Sequence, residues 1–297
     1  MKKIFIIQLS CFLIAFFVSL GALAQDSTVA EQSVPKKAKP VKNTFEGTWI
    51  IDNQTVMVPT KKTFQMDFMH RFGVVKNGYQ DFYGLFAPAN IRLGFNYVPV
   101  NNLLIGVSLT KQNMTWEGYA KYAILRQTPG RMPVSLTYYG DIAVDSRSAD
   151  NFVNPSDRLM YFNQIIVARK ISERLSLQVA PSYTHVNVVD GYFYEPGKYK
   201  GVMKHDHFSI STAGRFKLKE SMAIIFNYDQ PITKHPSNNP APNIAAGLEL
   251  NTSAHCFQFF MGNFYSITPS RNNYYNQNSY KDGQFLIGFN ITRLWNY

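Results

Sequence analysis

The side chains in this sequence best suited to hold a metal or move a proton are its six histidines, two of them paired as His205-x-His207. His185 ends one apolar-polar alternating segment and His205 and His207 begin the next, with Asp190, Glu195 and Asp206 close by in sequence. Imidazoles and carboxylates in such numbers could ligate zinc or haem; equally, they could be solvated ends of strands. A second set lies in a segment dense in tyrosine and asparagine, where Tyr274 and Tyr275 follow Tyr265, Arg271, Asn272 and Asn273. Rings that stack and amides that hydrogen-bond would suit a glycan, and an ordinary solvated loop has the same composition. Ser182 and His185 invite comparison with a hydrolase. Three residues apart on a strand, however, they point to opposite faces, and no G-x-S-x-G motif occurs. The expectation is therefore no catalytic residue, no enzyme and no resident cofactor.

Such residues need a scaffold, and composition narrows the choice. Of 297 residues, 45% are hydrophobic and 15% aromatic, but only 16% are charged, against roughly 25% in an ordinary soluble domain. Outside the first 25 residues no apolar run approaches the ~20 residues that a membrane-crossing helix needs. The period is two instead. Phe64, Met66, Phe68 and Phe72 alternate with Gln65, Asp67 and Arg71; Ile91, Leu93, Phe95 and Tyr97 alternate with Arg92, Gly94 and Asn96. Phe285, Ile287, Phe289, Ile291, Trp295 and Tyr297 share one parity at the C-terminus. Such alternation marks half-buried strands. About twelve fit, near 63–73, 90–99, 103–111, 114–125, 132–145, 159–171, 174–189, 204–218, 221–230, 243–251, 254–264 and 283–296. Tight connections such as Lys219-Glu220 alternate with long ones such as 146–158 and 265–282, a pattern of up-and-down barrels in outer membranes. One helical turn is expected over 81–86.

The N-terminus reads as a leader. Lys2 and Lys3 precede the apolar stretch Ile4 to Leu23, and Ala22-Leu23-Ala24 offers small residues to a signal peptidase, so 1–24 is expected to be a signal peptide. Residues 25–44, with Lys36, Lys37, Lys39 and Lys42 and no early aromatic, read as a disordered basic tail. That tail could touch anionic lipid or a periplasmic partner. Residues 45–60 read as a short hairpin under or inside the lumen, and 61–297 as the barrel. Cys256 is the one cysteine after the leader, so an internal disulfide is excluded.

A soluble sandwich would also alternate, but here the inner parity carries both signs of charge. Arg92, Glu117, Lys121, Asp141, Arg215 and Glu249 suit an ion-paired or wet lumen, and aromatic residues such as Tyr97, Trp116, Tyr138 and Trp295 crowd predicted strand ends, as at a membrane interface. The all-β expectation is thus a transmembrane antiparallel β-barrel of about twelve strands in the outer membrane. The last strand, with its terminal aromatic residue, is the expected signal for barrel assembly machinery. The formal net charge of +11 lies partly in the tail rather than in an aromatic-interleaved groove, so nucleic acid is not an expected partner; outer-membrane lipid and a small solute are. The segments His70-Arg71-Phe72-Gly73, Asp81-Phe82-Tyr83-Gly84-Leu85, Asn90-Ile91-Arg92-Leu93-Gly94, Gly118-Tyr119-Ala120-Lys121-Tyr122 and Gly288-Phe289-Asn290-Ile291-Thr292-Arg293 resemble an uncharacterised family of bacterial outer-membrane β-barrels. That resemblance implies a barrel and a compartment and supplies no substrate. The expected role is a narrow channel or uptake component for small solutes, with a surface scaffold for metal, haem or glycan, or a lipid or peptide hydrolase, as alternatives.

Overall fold

Alternation of apolar and polar side chains is satisfied by a sheet that closes on itself, because closure removes both edges and gives each parity one solvent. The computed structural model describes residues 38–196 and 198–296; the expected leader, Lys36, Lys37 and Tyr297 lie outside the described residues. Two short strands come first, β1 (Trp49–Ile50) and β2 (Asn53–Gln54), paired with each other. The barrel follows as β3 (Thr63–Val74), β4 (Asn90–Val100), β5 (Leu103–Thr110), β6 (Thr115–Leu125), β7 (Ser135–Asp145), β8 (Leu159–Lys170) and β9 (Leu175–Val186). A small ribbon, β10 (Gly191–Glu195) with β11 (Lys198–Gly201), fills one long connection. The wall resumes as β12 (Asp206–Lys219), β13 (Met222–Pro231), β14 (Asn243–Asn251), β15 (His255–Gly262) and β16 (Leu286–Asn296). Twelve antiparallel strands close, with β16 paired to β3 and β9 to β12.

The outer wall is apolar where a water-soluble protein would be polar. Val107, Trp116, Ile165, Phe259 and Met261 are each about half exposed, whereas β6 alternates strictly between buried inward and exposed outward residues over Thr115–Ile124. A contiguous apolar belt of this kind belongs against lipid. Phe64 and Trp295 meet across β3 and β16 with ring centroids 5.5 Å apart at the short-turn end, and Trp116 and Tyr183 stand near the long-loop end.

Two loop features differ from expectation. The helical turn lies over Val75–Asp81 rather than 81–86, because the Asp81 carboxylate accepts hydrogen bonds from Asn77 Nδ2 and from the Gly84 N–H, both 2.8 Å. These bonds close the loop one step earlier and leave Phe82 and Tyr83 left-handed. Gly84, at φ +84°, abuts the Gly73 carbonyl so closely that a Cβ would stand 2.2 Å from it. The second is helix α1 (Pro269–Tyr275) in the last long loop, started by a proline at its first turn.

Candidate functional site

Inside the wall the dominant feature is chain, not water. Residues 44–58 enter from the short-turn end and fold back as a hairpin in the lumen, where Phe45, Trp49, Ile50 and Ile51 are all at most 2% exposed. An apolar Trp-Ile-Ile triad too short to form its own core finds burial there. Apolar packing and hydrogen bonds both fix it, and Phe45, Ile50, Ile51, Val56 and Val58 share one apolar cluster with wall residues such as Val98, Leu104 and Phe162. Lys121 Nζ donates to Thr48 O (3.1 Å), Gln54 Oε1 (2.7 Å) and Thr55 O (3.3 Å). Three wall amides bond its backbone: Gln178 Nε2 donates to Gln54 O (2.8 Å), Asn290 Nδ2 to Ile51 O (2.6 Å), and Gln258 Nε2 to Trp49 O (3.0 Å). Gln258 Oε1 in turn accepts from the Ile51 N–H (3.0 Å). Trp49 Nε1 donates to Asp67 (3.2 Å) and Asn53 Nδ2 to Asp229 (2.8 Å). These bonds satisfy hairpin backbone groups that burial would otherwise strand.

The charged lumen residues face inward and are buried. Arg92 Nε meets Glu117 Oε2 at 2.8 Å, with Ser108 Oγ donating to the same oxygen (2.7 Å). Arg215 Nε meets Glu249 Oε1 at 2.7 Å. Arg92 also lies 4.9 Å from the Trp49 ring centroid and 5.3 Å from that of Tyr119, both cation–π distances. Asp141 is buried with neither carboxylate oxygen hydrogen-bonded among the described residues. Of the wall charges that meet the hairpin, Arg92 is paired with Glu117, whereas Lys121, Asp67 and Asp229 hold it through hydrogen bonds and form no ion pair among the described residues.

The long-loop end is closed by a second insertion. The loop carrying α1 folds inward, burying Phe264, Ile267, Asn272 and Tyr274 almost completely. Ile267 packs with Trp49 and Met69. Asn272 Nδ2 donates to the Asp52 carboxylate at the hairpin tip, whose other oxygen accepts from Asn227 Nδ2 (2.7 Å). The two insertions therefore touch each other inside the barrel. A solvated Tyr/Asn loop, the plainer expectation for this segment, is corrected here: Asn272, Asn273 and Asn276 are buried because the barrel interior supplies amide and carbonyl partners.

The histidines divide between the two faces of the wall. His207 points into the lumen, fully buried, and its Nδ1 lies 2.9 Å from His235 Nε2, with the rings nearly parallel. His235 Nδ1 accepts from the Lys204 N–H (2.9 Å), which puts the His235 proton on Nε2 and makes it the donor to His207. Tyr274 packs edge-on against both rings and its hydroxyl donates to Lys204 O (2.6 Å). Burial, and then the Lys204 ammonium, hold His235 below the ordinary imidazole range. His185, by contrast, faces outward, with Nδ1 2.8 Å from Asp206 Oδ1, and His205 stands beside it. So His207 shares a site with Tyr274 but not with His185, and Tyr275 turns toward Arg271. Among the described residues no group of three or more His, Cys, Asp or Glu is placed to hold a metal ion. Sequence reasoning missed the gripping amides Gln178, Gln258 and Asn290; their signal was an inner parity richer in amides than a plain water-filled pore requires.

A family model described as a membrane bound beta barrel domain (DUF5777) matches residues 45–295. No curated protein matches the chain. Among solved structures the chain is similar to the NanC porin, at 10% identity and a TM-score of 0.48, over 79% of this chain and 99% of that one. It is also similar to the KdgM porin, at 10% and 0.44 over 78% and 99%. A third likeness is to an outer membrane channel from Pseudomonas putida F1, at 10% and 0.46 over 80% and 97%.

Proposed function

The chain belongs to this family of membrane-bound β-barrel domains, standing in the outer membrane, and on that premise we propose that it is a gated uptake component for small solutes. In this reading the short turns face the periplasm and the long loops the exterior, the disposition general among outer-membrane barrels. The observation that carries it is the attachment of residues 44–58. The hairpin packs Phe45, Ile50, Ile51, Val56 and Val58 against apolar wall residues such as Val98, Leu104 and Phe162, and it is also held by hydrogen bonds to wall side chains (Lys121, Gln178, Gln258, Asn290), which water can replace one by one as the hairpin slides out. A segment meant only to fill a core would need no such set of side-chain bonds, because apolar packing alone would hold it. A polar-walled lumen under a plug held in part by exchangeable bonds is what a conduit needs when it must close fully and still open.

The reading contains no catalysis. Ser182 Oγ shares a hydrogen bond with Ser209 Oγ (2.6 Å) on the lumen side, while His185 is outside and the lumen-facing His207 bonds His235, so neither imidazole is hydrogen-bonded to that hydroxyl. The test is conductance of refolded protein in a planar bilayer, with heat-modifiable gel mobility as the check of barrel formation. Wild type is expected to be silent or to open rarely. Deletion of residues 45–58 is expected to give stable ohmic steps, and a folded deletion variant that stays silent overturns the proposal.

A further inference from the structure

Helix α1 has two faces with different company. Asn272 and Asn273 look into the lumen, toward Asp52 and Ser209. Arg271 and Tyr275, four residues apart and so on one side of the helix, line a cavity of about 390 Å³ at the long-loop end. That volume is within the roughly 300–1,000 Å³ typical of small-molecule sites. Its floor includes Met160 and Val186.

The charges around Arg271 are paired with one another, whereas Asp157 and Asp190, which also line the cavity, form no ion pair among the described residues. Asp145 accepts from Arg147 Nε (2.9 Å) and Nη2 (2.8 Å), from Asn113 Nδ2 (2.9 Å) and from Arg271 Nη2 (3.4 Å). Arg271 lies 5.5 Å from the Tyr275 ring centroid, and its buried Nε has no hydrogen-bond partner among the described residues. A ligand that brought a carboxylate would have to displace Asp145 from an arginine and would also meet Asp157 and Asp190. One that brought hydroxyls, each able to donate and accept, could bond Asp157, Asp190 and the guanidinium edges without disturbing those pairs, beside apolar lining that takes C–H surface.

We propose that this cavity binds a small uncharged polyhydroxylated solute, a mono- or disaccharide, and that its Arg271–Tyr275 wall passes occupancy to the hairpin through Asn272. The inference rests on the gated-uptake reading for its purpose, but not for its test.

Binding is read without conductance, by saturation-transfer NMR and titration of the full-length protein in detergent with glucose, galactose, maltose and sucrose, and with glucuronate and choline as the anionic and cationic controls. At least one uncharged sugar should bind saturably, and Arg271→Ala and Tyr275→Ala should each weaken it at least tenfold, with Arg271→Lys and Tyr275→Phe as milder variants should the alanines misfold. Failure of all four sugars to saturate, tighter binding of either charged control, or binding indifferent to the substitutions overturns the site. The latch is read by acrylamide quenching of Trp49 in a Trp116→Phe, Trp295→Phe background. Sugar should change the quenching at least twofold, and Asn272→Ala should abolish that change while leaving affinity within about twofold. An unaltered response in Asn272→Ala overturns the latch. Intact sugar binding beside a silent hairpin-deletion variant would sink the channel reading alone.

Discussion

Asn272 of helix α1 donates its side-chain amide to the carboxylate of Asp52, and this contact joins the insertion from one mouth of the barrel to the insertion from the other. Both insertions occupy the lumen. The hairpin fills it from the short-turn end and α1 caps it from the long-loop end, with Ile267 on Trp49 as the apolar part of the same junction. In the proposed coupling, whatever moves α1 at one surface acts on the hairpin at the other.

Lys121→Met removes the ammonium that donates to Thr48, Gln54 and Thr55, while keeping most of the side chain's volume. Hydrogen bonds to a charged group contribute about 1.5–3 kcal/mol each, and even ~1.4 kcal/mol is tenfold in an equilibrium. The opening frequency in planar bilayers should rise at least tenfold, with barrel mobility on gels unchanged.

Glu117→Ala leaves Arg92 buried without its counter-charge and strands Ser108 Oγ. Breaking a buried pair from one side costs about 3–5 kcal/mol, whereas replacing both members by apolar residues is near neutral. The urea midpoint of heat-modifiable mobility should therefore fall sharply in Glu117→Ala and recover in Arg92→Met, Glu117→Leu.

His235 carries a pH dependence with a definite sign. Burial keeps its folded-state pKa below that of the unfolded chain, about 6.5, so its contribution is complete above that value and is lost as pH falls toward the folded one. Protonation would also take Nδ1 away as acceptor for the Lys204 N–H and set a cation beside Lys204. Exchange of the Lys204 amide, corrected for its intrinsic rate, should accelerate between pH 7 and pH 5 in wild type and stay flat in His235→Phe.

Gly106 faces the Tyr119 ring across β5 and β6, and a Cβ there would stand 2.4 Å from Tyr119 Cε2. Gly106→Ala must displace a ring that is buried and whose hydroxyl donates to Asn96 (2.8 Å). Overpacking of this kind costs roughly 1–3 kcal/mol, so unfolding should need less urea, and the same substitution should cost less in a Tyr119→Ala background, where the ring is gone.

A charge on the lipid face should be costly in proportion to depth. Ile165, in the middle of β8 and half exposed, is expected to lose about 2–4 kcal/mol as Ile165→Arg, and Leu125→Arg at the short-turn end roughly 0–1. Refolding into vesicles, followed by gel mobility against urea, separates the two.

The barrel was legible because its signal is local. Each strand carries its own alternation, so Thr63–Val74 and Asn243–Asn251 could be bounded within a residue or two from their own side chains, and the inward parity of Arg92, Glu117 and Arg215 followed from the same count. Loop structure was harder to read. The turn at Val75–Asp81 depends on a carboxylate reaching Gly84, and α1 depends on an interior that only the closed wall provides.

Period two, strand length and the rhythm of short and long connections determined the closed antiparallel wall and the division of its side chains between lipid and lumen, since those preferences act within a few residues. Tertiary structure alone decided the meeting of groups far apart in sequence. Asp52 reaches Asn272, 220 residues away, and Gln258 reaches the backbone of Ile51. His207 leaves His185 for His235 because adjacent strand register sends Thr184, not His185, to the face that His207 occupies. No local pattern encodes those distances; they exist because closure of twelve strands brings opposite walls and both mouths within hydrogen-bond reach of one inserted hairpin.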